Sequence, residues 1–130
     1  VNTRRPVDTM REIRRIRQHD GEPLRRWFTD EYWDLFVWEA DDDVVAFQLS
    51  YGKPDSERTV SWRRGGDAAH FAVDDGESHP GSHRSPILVP DGDLNARAVL
   101  NRFKRDSSGI DSHIRKRVVI ELVRYERAFG

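Results

Sequence analysis

The sequence contains no cysteine, a single methionine, and only three lysines beside nineteen arginines. Without cysteine the chain can form no disulfide, no thiolate metal site and no cysteine nucleophile, which is typical of proteins in a reducing compartment. Its apolar runs, such as Pro86–Val89 and Val118–Ile120, are far shorter than the roughly 20 residues that cross a bilayer. We therefore expect a cytoplasmic protein with no membrane-crossing segment.

Several motifs of common enzyme families are also missing. The chain has no glycine-rich phosphate loop, no GxSxG nucleophile elbow, no HExxH zinc motif and no dinucleotide-binding fingerprint. Each absence disfavours a class of enzyme, and we expect no cofactor. Function has to be inferred from weaker groupings of polar residues.

Aromatic residues are concentrated in one part of the chain. Ten of the thirteen lie between Trp27 and Phe71. Since each can bury ~150–250 Å², the core should form around this segment. A chain of 130 residues suits one core, so we expect a single domain over residues 10–130, preceded by an N-terminal extension over residues 1–9.

Alternating apolar residues predict an antiparallel meander. The strands are expected at 32–39, 44–51, 58–64, 69–73 and 87–89, and Met10–Gln18 is expected to form a short strand or one or two helical turns. The inward residues are expected to be Val45, Phe47, Leu49, Tyr51, Val60, Trp62, Phe71 and Val73, with Val44 and His70 on the opposite side.

Two helices are expected at the C-terminal end. The first runs from Leu94 to about Arg105 with Asp93 as its N-cap, and the second begins at Asp111 or Ser112 and runs to about Arg127. The apolar stripe of the second helix is Ile114, Val118, Leu122, Tyr125 and Phe129. The predicted fold class is α+β: an antiparallel β-meander of about four to six strands with two C-terminal helices packed on one face.

Charge is segregated along the chain although the net charge is only −1. Residues 1–27 carry eight arginines against four acids, residues 28–93 five bases against fifteen acids, and residues 94–130 nine bases against four acids. Basic ends could bind polyanions, but the favoured interpretation is that they pack beside the acidic middle or form a solvated face. Because the domain as a whole is not basic, we expect no nucleic-acid partner.

The first candidate site combines Trp62, Arg63, Arg64 and His70. Guanidinium groups bind carboxylates and phosphates through paired hydrogen bonds, and an adjacent indole can stack on a planar ligand. The leading hypothesis is non-enzymatic binding of an anionic small molecule or a protein partner. Ordinary cross-strand pairing of these arginines with Asp67, Asp74 or Asp75 is the competing interpretation.

The second candidate is a divalent-metal site formed by His70, Asp74, Asp75 and Glu77. Imidazole and carboxylate groups bind transition metals, and a site with an open coordination position would make a metal-dependent hydrolase. The spacing matches no standard metal motif. A solvated polar loop is the competing interpretation of this stretch.

The strand over 32–39 has apolar residues on both sides. Trp33, Leu35 and Val37 share one face, whereas Phe36 and Trp38 share the other, so the strand should be interior to the sheet. One helix layer covers only one face of a sheet. Either the second face is also covered within the chain, or it is a binding surface or a subunit interface. Our hypothesis is a homodimer formed through the face that carries Phe36 and Trp38.

Six segments resemble a group of small uncharacterised bacterial proteins. They are Arg25–Phe28 (RRWF), Asp34–Trp38 (DLFVW), Phe47–Lys53 (FQLSYGK), Ser61–Arg63 (SWR), Val73–Glu77 (VDDGE) and Ser85–Val89 (SPILV). The resemblance implies a bacterial protein whose domain begins near Met10 and stands alone. It implies no activity and no catalytic residue.

Overall fold

The computed structural model describes residues 10–53, 57–74, 87–90 and 95–129. The expected extension over residues 1–9 lies outside these ranges, so the structure does not test it.

In the described part of the chain, seven strands form one sheet and two helices follow it. The elements are β1 (Arg11–Ile13), β2 (Leu24–Thr29), β3 (Trp33–Ala40), β4 (Asp43–Tyr51), β5 (Arg58–Arg63), β6 (Ala69–Asp74), β7 (Ile87–Pro90), α1 (Ala96–Asp106) and α2 (Ser112–Phe129). The strands lie side by side in chain order, and every neighbouring pair is antiparallel. The predicted α+β class, with its meander and two C-terminal helices, is confirmed. The strand β2 brings the sheet to seven strands instead of the expected four to six.

The core lies between one face of the sheet and the two helices. Trp33, Leu35 and Val37 on β3 are completely buried, as alternation along an interior strand predicts. The ring of Phe103 on α1 meets the ring of Trp33 edge-on at a centroid distance of 5.6 Å. The predicted stripe of α2 is buried against this layer at Ile114, Val118, Leu122 and Tyr125.

A bulge before the turn between β3 and β4 changes which residues of β4 face the core. Asp41 and Asp42 in this turn have φ values of 55° and 64°, a conformation that aspartate tolerates better than most residues. The pairing register shifts between Trp38 and Glu39, so that Val44 pairs with Glu39 and is buried. The prediction that Val45 points inward and Val44 outward is therefore wrong, because one extra residue reverses the alternation locally.

The orientation of β6 also differs from the prediction. His70 pairs with Val60, whose side chain is completely buried, so His70 faces the core and is only 4% exposed. Inside the core its Nε2 lies 2.7 Å from the hydroxyl of Tyr51, and the two rings stack. The polar partner makes burial of the imidazole tolerable. Phe71, which was expected to point inward, is half-buried on the other side.

The helix starts follow capping chemistry. Asn95, and not the predicted Asp93, is the N-cap of α1, because its side-chain oxygen accepts a hydrogen bond from the amide of Ala98 at 3.1 Å. At the start of α2 the carbonyl of Asp111 accepts from the amides of Ile114 and Arg115. Neither helix in the described ranges is both long and apolar enough to cross a membrane.

Candidate functional site

Alternation along β5 separates the residues of the predicted ligand site. Trp62 is buried on the helix side and stacks on Phe47 at a centroid distance of 5.6 Å. Arg63 is exposed and points to the face of the sheet opposite to that of Trp62. Its pairing partner on β4 is Ala46. Arg64 lies in the turn that follows, where its guanidinium is 3.7 Å from Asp43. Since His70 is buried in the core, the structure does not bring all four predicted residues together, although Trp62, Arg63 and Arg64 line one concavity.

The face of the sheet that no described helix covers, here called the helix-free face, is partly aromatic and partly polar. Its members follow from the pairing register, which aligns Ile13, Trp27 and Phe36 across β1 to β3 and continues with Gln48 and Ser61 on β4 and β5. The rings of Trp27 and Phe36 stack at 5.4 Å. Apolar and polar groups thus lie side by side on this face.

A concave region on this face, here called the helix-free groove, has a volume of about 560 Å³. Trp38 and Ala46 supply apolar surface, and Gln48, Ser61 and Arg63 supply polar groups. None of these three polar side chains has a hydrogen-bond or ion-pair partner among the described residues. The remaining lining residues are Glu22, Pro23, Val45, Phe47, Trp62 and Arg64.

The other end of the helix-free face is occupied by a paired polar cluster. Asp34 accepts hydrogen bonds from Trp27 Nε1 at 2.9 Å and Thr29 Oγ1 at 2.7 Å, and its second oxygen lies 2.9 Å from the ammonium of Lys53. Burial, together with the negative charge of Asp34, raises the pKa of nearby Glu57. Since Asp34 already has three partners, this end offers a ligand less than the groove does.

A second concavity, here called the turn–helix cavity, lies between the β5–β6 turn and α2 on the helix side. Its volume is about 430 Å³. The lining residues are Asp43, Val44, Trp62, Arg64, Gly65, Gly66, Asp67, Arg117, Glu121 and Arg124. Glu121 is buried and accepts from Arg117 at 2.9 Å, while the guanidinium of Arg124 lies 3.7 Å away. The indole Nε1 of Trp62 is buried and has no hydrogen-bond partner among the described residues.

The residues of the predicted metal site are only partly described. His70 is held by Tyr51 within the core, and Asp74 ends β6. Asp75 and Glu77 lie outside the described residues. Within the described ranges no group of three or more histidine, aspartate or glutamate residues could hold a metal. The metal-dependent hydrolase stays a prediction.

A charged network closes the sheet against the start of α2. Arg26 binds both oxygens of Glu12 at 2.9 Å and also contacts Glu39 and Asp111. The hydrogen bonds that Arg26 donates to Glu12 lower the pKa of Glu12 and raise the pKa of Arg26. Buried Glu39 also bonds to His113 Nε2. Arg26 is thus compensated within the fold.

The sequence patterns did not predict that Trp38, Gln48 and Ser61 line the groove. They also did not predict that α2 lines the cavity. Arg117, Glu121 and Arg124 form a recognisable polar stripe at helical spacing. Only the packing of α2 against the β5–β6 turn makes that stripe a cavity wall.

No protein-family model, curated protein or solved structure matches the chain.

Proposed function

We propose that the protein binds a small anionic molecule with a planar apolar body in the helix-free groove, without a catalytic step. The observation that carries this proposal is the set of unpartnered groups on Gln48, Ser61 and Arg63 beside the half-buried ring of Trp38. Gln48 and Ser61 are partly buried, and a ligand that supplies the missing partner of such a group binds with a more favourable free energy. The groove volume falls within the range of roughly 300–1,000 Å³ that is typical of small-molecule sites.

The charges of the groove favour an anion. Its lining contains Arg63 and Arg64 but only one acid, Glu22. A guanidinium presents parallel N–H donors that match the two oxygens of a carboxylate. Trp38 and Ala46 would contact the apolar body of the ligand, while the amide of Gln48 and the hydroxyl of Ser61 would bond to its polar substituents.

Isothermal titration calorimetry with two probes of the same shape tests the proposal. 2-Naphthoate carries the carboxylate, and 2-naphthalenemethanol replaces it by a neutral alcohol. We expect 2-naphthoate to bind more tightly than 2-naphthalenemethanol. Arg63→Gln should weaken the binding of 2-naphthoate by roughly three- to tenfold and leave the affinity for the alcohol unchanged. Arg127→Gln is the matched control, since Arg127 is also exposed but lies near the end of α2, outside the groove.

Equal affinity for the two probes, or equal losses in the two arginine variants, would contradict the proposal. The predicted homodimer would have a different effect, because two copies packed through the helix-free face would cover the groove. Size-exclusion chromatography with light scattering, run with and without 2-naphthoate, separates the two cases. If the measured mass is that of one chain both with and without the probe, the result supports ligand binding in the groove over a homodimer that covers it.

A further inference from the structure

We propose that the turn–helix cavity is a second, separate binding site, and that its ligand is a small amino-acid zwitterion. The proposal rests on a different set of residues from the groove. Trp62 and Arg64 line both concavities, but Arg117, Glu121 and Arg124 line only the cavity. The two sites lie on opposite sides of the sheet, because Trp62 and Arg63 point to opposite faces.

The charges of the cavity are balanced. Three arginines, Arg64, Arg117 and Arg124, face three acids, Asp43, Asp67 and Glu121. A ligand with net charge would leave one charge of the site or of the ligand without compensation. A ligand that carries one positive and one negative group matches this lining.

Two groups of the cavity lack a partner in the described part of the chain, and one is a hydrogen-bond donor while the other is an anion. The indole N–H of Trp62 is a buried donor without an acceptor. Asp67 is an exposed carboxylate that makes no ion pair among the described residues. A ligand carboxylate would supply the acceptor that Trp62 lacks, and a ligand ammonium would supply the cation that Asp67 lacks.

The arginines of α2 explain how a carboxylate would reach Trp62. The guanidinium of Arg117 lies over the indole ring of Trp62, 5.1 Å from the ring centroid, and the indole Nε1 is buried. Arg117 is bonded to Glu121, whereas Arg124 is more exposed and 3.7 Å from the same carboxylate. A ligand carboxylate would bind Arg124 first and draw Arg117 off the ring, which would open the indole N–H to a hydrogen bond.

Nuclear magnetic resonance of the full chain tests the inference with probes that share one carbon skeleton. 4-Aminobutanoate is the zwitterion, butanoate is the anion alone and butylamine is the cation alone. We expect only 4-aminobutanoate, at about 10 mM, to move the indole N–H signal of Trp62 downfield. The four tryptophans of the chain give four such signals, which backbone-linked assignment distinguishes without a substitution in the core.

Two exposed variants separate the two arms of the ligand. Asp67→Asn removes the partner of the ammonium, and Arg124→Gln removes a partner of the carboxylate. Each variant should weaken the binding of 4-aminobutanoate by about threefold or more. The control variants Asp20→Asn and Arg127→Gln should bind it as tightly as the wild-type protein does. Butanoate binding as tightly as 4-aminobutanoate, an unmoved Trp62 signal, or wild-type affinity in Asp67→Asn would each overturn the inference. None of these outcomes depends on 2-naphthoate binding in the groove.

Discussion

Asp106 links the end of α1 to the most buried tryptophan of the sheet, and Asp106→Ala should lower the free energy of unfolding by about 2–4 kcal/mol. Its carboxylate accepts from Trp33 Nε1 at 2.9 Å, and both residues are buried. Without the carboxylate, the indole N–H remains in the core without an acceptor, which costs about 1–3 kcal/mol.

The two arginines beside Asp106 contribute less. Arg102 and Arg105 contact its oxygens at 3.3 and 3.0 Å, but their side chains are 42% and 67% exposed. Solvent-screened pairs of this kind contribute about 0–1 kcal/mol each. Asp106→Asn keeps an oxygen for Trp33 and should therefore cost only about 1 kcal/mol. Urea unfolding at neutral pH, followed by tryptophan fluorescence, measures both variants.

The same carboxylate predicts a pH dependence. Burial alone would raise the pKa of Asp106, but the hydrogen bonds from Trp33, Arg105 and Arg102 outweigh it and hold the pKa below its ordinary value of 3.8. A lowered folded-state pKa gives stabilisation that is present above the unfolded-state pKa and is lost as the pH falls through the folded-state value. The difference in the free energy of unfolding between the wild-type protein and Asp106→Ala should therefore become smaller in acid. An alanine variant within about 0.5 kcal/mol of wild type at neutral pH would refute this account of the link.

Two further predictions concern the sheet. Glu57→Gln should raise the free energy of unfolding by about a few tenths of a kcal/mol at neutral pH, because burial and the charge of Asp34 raise the pKa of Glu57 and disfavour its ionised form. The gain should vanish in acid, where Glu57 is neutral, and urea titrations that show the same gain at both pH values would contradict it. Gln18→Ala should speed hydrogen exchange at the amide of Arg25. The Gln18 side chain accepts a hydrogen bond from that amide at 2.8 Å and donates one to the Arg25 carbonyl at 2.7 Å, so it pairs with the strand edge as a neighbouring strand would. An unchanged exchange rate would show that the side chain does not protect this edge.

Local periodicity was sufficient to predict the elements with the strongest patterns. The alternation of Trp33, Leu35 and Val37 and the stripe of Ile114 and Val118 each fix a face without knowledge of any neighbour. These patterns give the sheet and its helical layer. They do not identify the side of the sheet that the helices leave uncovered.

The failed predictions depend on pairing between strands. A bulge reverses Val44 and Val45, and the register of β6 against β5 turns His70 inward although Phe71 is the more apolar residue. The hydroxyl of Tyr51, nineteen positions away in the sequence, makes that choice acceptable. A single sequence contains no direct signal of such a distant partner, since hydropathy describes each residue alone.

The same limitation applies to the candidate sites. Trp62, Arg63 and Arg64 are adjacent in sequence, and their chemistry predicts one anion site. The pleat of β5 points Trp62 to the helix side and Arg63 to the helix-free face, and both Trp62 and Arg64 line the two concavities. Each concavity is then completed by a different partner element, β4 through Gln48 on one side and α2 on the other. The cluster is therefore better understood as the shared boundary of two sites, so Arg63 rather than Arg64 is the substitution that separates them.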